Sequence, residues 1–161
     1  MKNPEFKIVE KCFYNCKKLN AFIIPSFVRE IGNSAFLCCQ NLTKITIPSS
    51  VETIGRAAFC HCKSLVEVKF ELPSSLKIIN EEAFKDCLKL AKIDIPSPAE
   101  YIEKSAFVSC KSLVNVSIPS SMIYIGDYAF GGCQHLNRMS IPSRFGEKIF
   151  LVPYHEVCNI H

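Results

Sequence analysis

A Phe, a Cys three residues later and a Leu three after that recur six times in this chain, and each copy then runs through an apolar alternation that closes in Pro. The Phe column reads Phe13, Phe36, Phe59, Phe84, Phe107 and Phe130, with Cys16, Cys39, Cys62, Cys87, Cys110 and Cys133 in register. Leu19, Leu42, Leu65, Leu90, Leu113 and Leu136 follow. The steps between copies are 23, 23, 25, 23 and 23 residues, so the one irregularity is an insertion of two. A fixed period of this length signals a solenoid, in which each unit is a supersecondary element stacked on its neighbours. One unit cannot bury its own apolar face, so stability must grow with copy number.

Within a unit, Leu42 to Ile47 alternates apolar and polar residues with period two and uses β-branched side chains, which predicts a half-buried strand. Pro48 ends it, as Pro25, Pro73, Pro96, Pro119 and Pro142 end the others, because Pro cannot donate to a ladder. A Ser-Ser or similar pair then turns the chain. The second apolar group (Val28/Ile31, Val51/Ile54, Leu76/Ile79, Ala99/Ile102, Met122/Ile125) has i, i+3 spacing, which predicts a short helical or irregular return. Strands entered from the same side must be parallel. The expected fold is thus a β-rich repeat solenoid of 23-residue units with parallel strands and short returns. The extra residues, Glu71 and Leu72, fall just before a turn and predict a bulge on one edge rather than a break in the core.

The organisation expected is a partial N-terminal repeat at 1–12, a solenoid at 13–145 and a degenerate cap at 146–161. After Pro142 the frame fails: Pro153 falls where Phe belongs, and a shift of two puts Cys158 in the Cys column but His155 and His161 in the Phe and Leu columns. No run reaches the roughly 18 apolar residues that span a bilayer. Met1 to Cys16 carries charge throughout and no apolar core, so it does not read as a secretory signal. The net charge of +4, from 19 basic and 15 acidic residues, predicts no basic stripe and argues against nucleic acid as the partner.

The consensus Leu-x-x-Ile-x-Ile-Pro-Ser-Ser-Val-x-x-Ile-Gly-x-x-Ala-Phe-x-x-Cys-x-x-Leu resembles the BspA-like leucine-rich repeat, a family of surface and interaction proteins of bacteria and parasitic protists. The resemblance runs from about Ile8 to Phe145. It implies a curved, non-catalytic solenoid that binds protein or extracellular-matrix ligands, often in cell adhesion, as a surface antigen. It implies a cell-surface location, whereas the sequence, lacking a visible signal or anchor, reads as cytoplasmic.

Ten cysteines invite chemistry, but six occupy one column, where free Cys packs as a small hydrophobe. Neighbouring column positions about 4.8 Å apart are within Cα range of a disulfide, and although parallel Cβ vectors keep the Cβ atoms farther apart than the roughly 3.8 Å a bridge wants, distance alone does not exclude pairing. Cys12, Cys38, Cys60 and Cys158 lie off the column. Zinc needs four converging ligands, and the adjacent residues Cys38-Cys39 and Cys60-His61-Cys62 diverge on an extended segment, so no metal or other cofactor is expected.

Alignment of the copies places Asn15, Cys38, His61, Asp86, Ser109 and Gly132 in one column. Cys38, His61 and Asp86 should therefore stand side by side, in the order of nucleophile, base and orienter that a cysteine hydrolase uses. The rest of the column reads as a variable, solvent-facing position without an oxyanion hole.

Strand alternation turns two other columns outward, and these form the expected binding face: Lys44, Glu67, Lys92, Asn115 and Arg138 in one, Thr46, Lys69, Asp94, Ser117 and Ser140 in the other. Parallel stacking presents them as one continuous surface, with Lys44-Glu67-Lys92 and Lys69-Asp94 as complementary neighbours. Sequons at Asn41 and Asn115 are at chance frequency, and sugar at Asn115 would cover part of this face. The expected function is a non-enzymatic protein-binding solenoid, an adhesin or surface antigen. An intracellular adaptor, favoured by free thiols, is the alternative, and a Cys38/His61/Asp86 hydrolase the third reading.

Overall fold

The computed structural model describes residues 6–145 and shows a parallel β-solenoid with three sides. The expected C-terminal cap at 146–161, with Cys158, His155 and His161, lies outside the described residues, as does the start of the 1–12 unit.

On the first side, each Leu-to-Pro alternation forms a strand: β2 (Ala21–Ile23), β4 (Lys44–Ile47), β6 (Glu67–Phe70), β8 (Lys92–Asp94), β10 (Asn115–Ser117) and β12 (Arg138–Ser140). Period two decides their burial, so Ile45 and Ile47 are buried while Lys44 and Thr46 are exposed. The second side is the return, irregular in that it is mostly turns. It also carries two-residue strands that the i, i+3 spacing did not disclose: β1 (Lys7–Ile8), β3 (Glu30–Ile31), β5 (Thr53–Ile54), β7 (Ile78–Ile79), β9 (Tyr101–Ile102) and β11 (Tyr124–Ile125). These six form one unbroken parallel sheet, with Ile8, Ile31, Ile54, Ile79, Ile102 and Ile125 in register.

The third side is a stack of tight turns. The Phe N–H donates to the Ala carbonyl of the next coil, from Phe13 to Ala35 (2.8 Å) through Phe107 to Ala129 (2.7 Å). Those bonds set the coil spacing, and the rings follow it. Successive Phe centroids from Phe13 to Phe130 lie 5.0 to 5.2 Å apart with interplanar angles of 14° or less. Phe36, Phe59, Phe84 and Phe107 are wholly buried, and no polar or charged residue is buried beside them among the described residues.

Each column thiol also has a partner in the coil before it. Cys39, Cys62, Cys87, Cys110 and Cys133 donate Sγ–H to the carbonyls of Phe13, Phe36, Phe59, Phe84 and Phe107 at 3.1 to 3.3 Å. The same carbonyls accept the column Cys N–H of their own coil, so Cys supplies a second, weak donor in a space too small for most others. This explains why a buried position recurs as Cys rather than Ala or Val.

The inserted residues are absorbed unequally. Phe59 and Phe84, which flank them, keep the 5.2 Å stack, Ile54 stays in register with Ile79, and the core remains one cluster. The strand side, however, is divided into two three-stranded sheets, β2-β4-β6 and β8-β10-β12. Two residues without counterparts in adjacent coils must leave the line of the ladder, and exposed Leu72 lies where they do so. The core is unbroken as expected, but the outer face is not one continuous sheet.

Glycine in the return marks the closest coil contact. A Cβ on Gly55 would sit 2.7 Å from the Gly32 carbonyl carbon. Gly32, Gly55 and Gly126 accordingly donate to the preceding coil at 2.7 to 2.8 Å, whereas Asn80 and Glu103, in the same column, do so at 2.9 to 3.0 Å.

Candidate functional site

All ten residues expected to form a binding face point away from the core. Lys44, Thr46, Glu67, Lys69, Lys92, Asp94, Arg138 and Ser140 are exposed, and Asn115 and Ser117 are half-buried in β10, the middle strand of its sheet. The division at β6 separates them into two groups. Lys44 aligns with Glu67 and Thr46 with Lys69 on β4 and β6. Lys92, Asn115 and Arg138 align on β8, β10 and β12, as do Asp94, Ser117 and Ser140.

The expected charge ladder is consequently only half made. Lys44 Nζ lies 3.1 Å from Glu67 Oε2, but Asp94 pairs with Lys92 on its own strand (2.8 Å) instead of with Lys69, because β6 and β8 share no ladder. Both pairs are well exposed, so each contributes at most about 1 kcal/mol. Asp94, Asn115, Ser117, Arg138 and Ser140, together with Val116 and Met139, line an open depression of about 660 Å³ on the second group. So open a depression suits a polypeptide surface better than a small molecule, which needs enclosure.

The Cys38, His61 and Asp86 backbones do stand on consecutive coils. Their column has a geometry that the sequence reading missed. Asn15, Cys38, His61, Asp86, Ser109 and Gly132 all adopt left-handed conformation, with φ between 56° and 69°. It is the third position of a turn closed by the Phe carbonyl and the Cys N–H three residues on, where positive φ favours Gly, Asn and Asp. Turn geometry, not exposure alone, accounts for the composition.

A triad is not assembled there. His61 Nδ1 approaches Asp86 Oδ2 to 3.4 Å, within ion-pair range, yet it is buried without a hydrogen bond. The alignment matters more than the distance, because an orienting carboxylate must accept the imidazole N–H. Cys38 makes no hydrogen bond to His61. The column's N–H groups, which an oxyanion would require, are consumed by the next coil: Cys38 by Cys60 O (2.9 Å), His61 by Lys85 O (2.8 Å) and Asp86 by Val108 O (2.9 Å).

Four of the column thiols, Cys39, Cys62, Cys87 and Cys110, are held neutral. Burial pushes Cys39 up to about 11 and Cys60, which lies off the column, up to about 12. Burial also raises Cys62 and Cys87, and Cys110 is raised by its hydrogen bond with the Cys133 thiol and then by burial. Such thiols are poor nucleophiles and poor metal ligands. The nine described cysteines form no disulfide with one another, and among the described residues no three His, Cys, Asp or Glu side chains converge as metal ligands would.

Charge is sorted by side, against the expectation of no basic stripe. On the return side, Arg29 pairs with Glu52 (2.9 Å), Arg56 with Glu81 (3.4 Å) and Lys77 with Glu100 (3.2 Å), so successive coils neutralise one another. At the turn leading into the strand side, the two columns after Cys read Lys17, Gln40, Lys63, Leu88, Lys111, Gln134 and Lys18, Asn41, Ser64, Lys89, Ser112, His135. They hold five lysines and no carboxylate. A net charge of +4 averages these two sides and conceals the difference; aligning the two positions after each column Cys reveals it.

Among the described residues no helix is long and apolar enough to cross a membrane. The sequence matches the family model for the BspA type leucine rich repeat region in six copies, over residues 3–71 and 68–151. Of solved structures, a leucine-rich repeat protein of T. pallidum is 32% identical with a TM-score of 0.69, over 75% of this chain and 69% of that one. A leucine-rich cell surface protein of Faecalibacterium prausnitzii is 36% identical with a TM-score of 0.70, over 75% of this chain and 31% of that one. The pneumococcal vaccine antigen PcpA, at 21% identity and a TM-score of 0.69 over 83% of this chain and 34% of that one, shares the fold. No curated protein matches the chain.

Proposed function

The chain belongs to the BspA type leucine-rich repeat family, and from that premise we propose that it is a non-enzymatic, protein-binding solenoid of the adhesin or surface-antigen kind, engaging its ligand through the outward strand face. The observation that carries this reading is the rigid presentation of Lys44, Thr46, Lys69, Lys92, Ser117 and Arg138 on a scaffold whose thiols and backbone donors are already committed inward. Stacked repeats of this type present their strand columns as extended binding surfaces. The surface location is supported by the printed description of the F. prausnitzii relative as a cell surface protein.

An intracellular adaptor is the second reading, favoured by nine described cysteines that form no disulfide with one another. Reduced thiols are the norm in the cytosol and uncommon outside it.

A photoreactive phenylalanine derivative placed at Thr46 or Ser117, in the protein as its source cell makes it, tests the binding face. Cross-linked protein adducts are expected from these positions and not from Thr53 or Tyr101 on the return sheet. Adducts from the return sheet alone, or equally from both sides, would overturn the assignment. An impermeant amine label on intact cells then separates the two locations, since the adhesin labels and the adaptor does not.

A further inference from the structure

The lysines beside the strand face form an axial series. Lys17, Lys63 and Lys111 occupy the first, third and fifth coils of one turn column, while Lys44, Lys92 and Arg138 occupy the second, fourth and sixth coils of the adjoining strand column. One cation therefore stands on each coil, with Lys18, Lys69 and Lys89 alongside. All of them are exposed. Lys17, Lys18, Lys63, Lys89 and Lys111 have no ion-pair partner among the described residues, in contrast to Arg29, Arg56 and Lys77 across the molecule. Lys44 and Lys92 have acidic neighbours in Glu67 and Asp94, but Lys17, Lys63 and Lys111, on alternate coils about 10 Å apart, repel one another without compensation, and a bound anion would relieve that repulsion.

We infer that this basic edge binds an extended, acidic polypeptide segment laid along the solenoid axis, crossing the strands. The inference rests on the protein-binding reading above and names the chemistry of its partner. Six coils at about 4.8 Å give about 24 Å, the length of seven or eight extended residues at roughly 3.3 Å each. Apart from His135 at the sixth coil, neither the turn columns nor the outward strand columns carry an aromatic side chain among the described residues, so no run of rings there can stack successive bases or sugars. Arg138 is the sole arginine of the series, whereas phosphate backbones are met preferentially by guanidinium forks. Lysine point charges with serine, threonine and asparagine between them suit carboxylates carried on a peptide.

The test is fluorescence anisotropy of a labelled oligoglutamate of about eight residues at low salt. It compares the native protein with K17Q/K63Q/K111Q and with K11Q/K77Q/K104Q, which loses the same charge from the other sides. Circular dichroism establishes that both variants are folded. Affinity should fall about tenfold or more in the first variant and change less than about twofold in the second. Equal losses in the two variants, or no binding by the native protein, would overturn the inference. Tighter binding of a sulfated oligosaccharide or of oligothymidylate at the same salt would also overturn it, because the ligand class would be wrong. Cross-linking at Thr46 or Ser117 without oligoglutamate binding sinks this inference alone, whereas absence of strand-face cross-links sinks the protein-binding reading.

Discussion

Raising the pH from 8 to 10 should unfold this protein, or nearly so, in the absence of denaturant. The cause is the set of buried thiols: Cys39, Cys60, Cys62, Cys87 and Cys110 are all raised above an ordinary value near 9. A group whose folded pKa is raised contributes stability that is complete below its unfolded value and lost as pH climbs toward the folded one. Below pH 9 both states carry neutral thiols. Between pH 9 and about 11 the unfolded chain ionises and the folded one does not. At pH 10 each released thiol favours unfolding by about 1.4 kcal/mol, and five together by roughly 7 kcal/mol, which is comparable to the whole stability of a small domain. Urea midpoints measured under reductant at pH 8, 9 and 10 should fall steeply. In C62A/C87A, the fall between pH 8 and 10 should shrink by about two fifths, which separates the thiols from Tyr and Lys ionisation. An unchanged midpoint from pH 8 to 10, or an equal fall in the variant, would contradict the argument.

The second large effect is expected at the centre of the aromatic stack. Phe84 is wholly buried, with Phe59 and Phe107 each 5.2 Å away. Phe84→Ala removes both stacks and leaves a cavity that the flanking coils cannot close, since their spacing is fixed by the Phe-to-Ala hydrogen bonds. A loss of about 3 to 5 kcal/mol follows. Position should matter as much as chemistry, because each coil is supported only by its neighbours. Phe13, half-buried at the first coil and stacked on Phe36 from one side, should cost about half as much as Phe84 when changed to Ala. Urea unfolding of the two variants decides this: equal costs, or less than about 1 kcal/mol at Phe84, would mean that the stack does not hold the centre together.

Much of this fold was legible because repetition multiplies weak signals. A single Phe-x-x-Cys-x-x-Leu says little, but six in register fix the coil, and the alternation from Leu42 to Ile47 fixes which residues face out. What was illegible arises where tertiary stacking overrides local preference. The return strands are two residues long, with only one inward side chain each, as Ile54 on β5, so no periodicity could announce them. Left-handed turns leave a trace in Asn15, Asp86 and Gly132 but are hidden by Cys38 and His61 in the same column. A second left-handed column, through Lys11, Ser34, Ala57, Glu82, Ser105 and Tyr128, has no compositional trace at all. There the neighbouring coils impose a conformation that Ala or Tyr disfavours alone.

The candidate site divides along the same line. The outward direction of Lys44 or Ser117 follows from period two and was readable. The break between Glu67 and Lys92 was not, because the position of Glu71 and Leu72 does not say whether an insertion bends a ladder or severs it. Side-by-side placement of Cys38, His61 and Asp86 was also readable from the column. Whether those side chains engage depends on alignments of tenths of an ångström and on whether the backbone donors are free, and neither is written in residue spacing.

The central claim is that the cysteine column is packing, its buried thiols kept inert by the coils around them. Alkylation at pH 8 without reductant, read by intact mass and by site before and after denaturation, tests this most directly. The account predicts that native protein is modified at exposed Cys12 and at Cys38 while Cys39, Cys60, Cys62, Cys87, Cys110 and Cys133 stay protected, and that all ten cysteines react once the chain is unfolded. Rapid modification of Cys62 or Cys87 in the native protein, or a disulfide within the column, would contradict it.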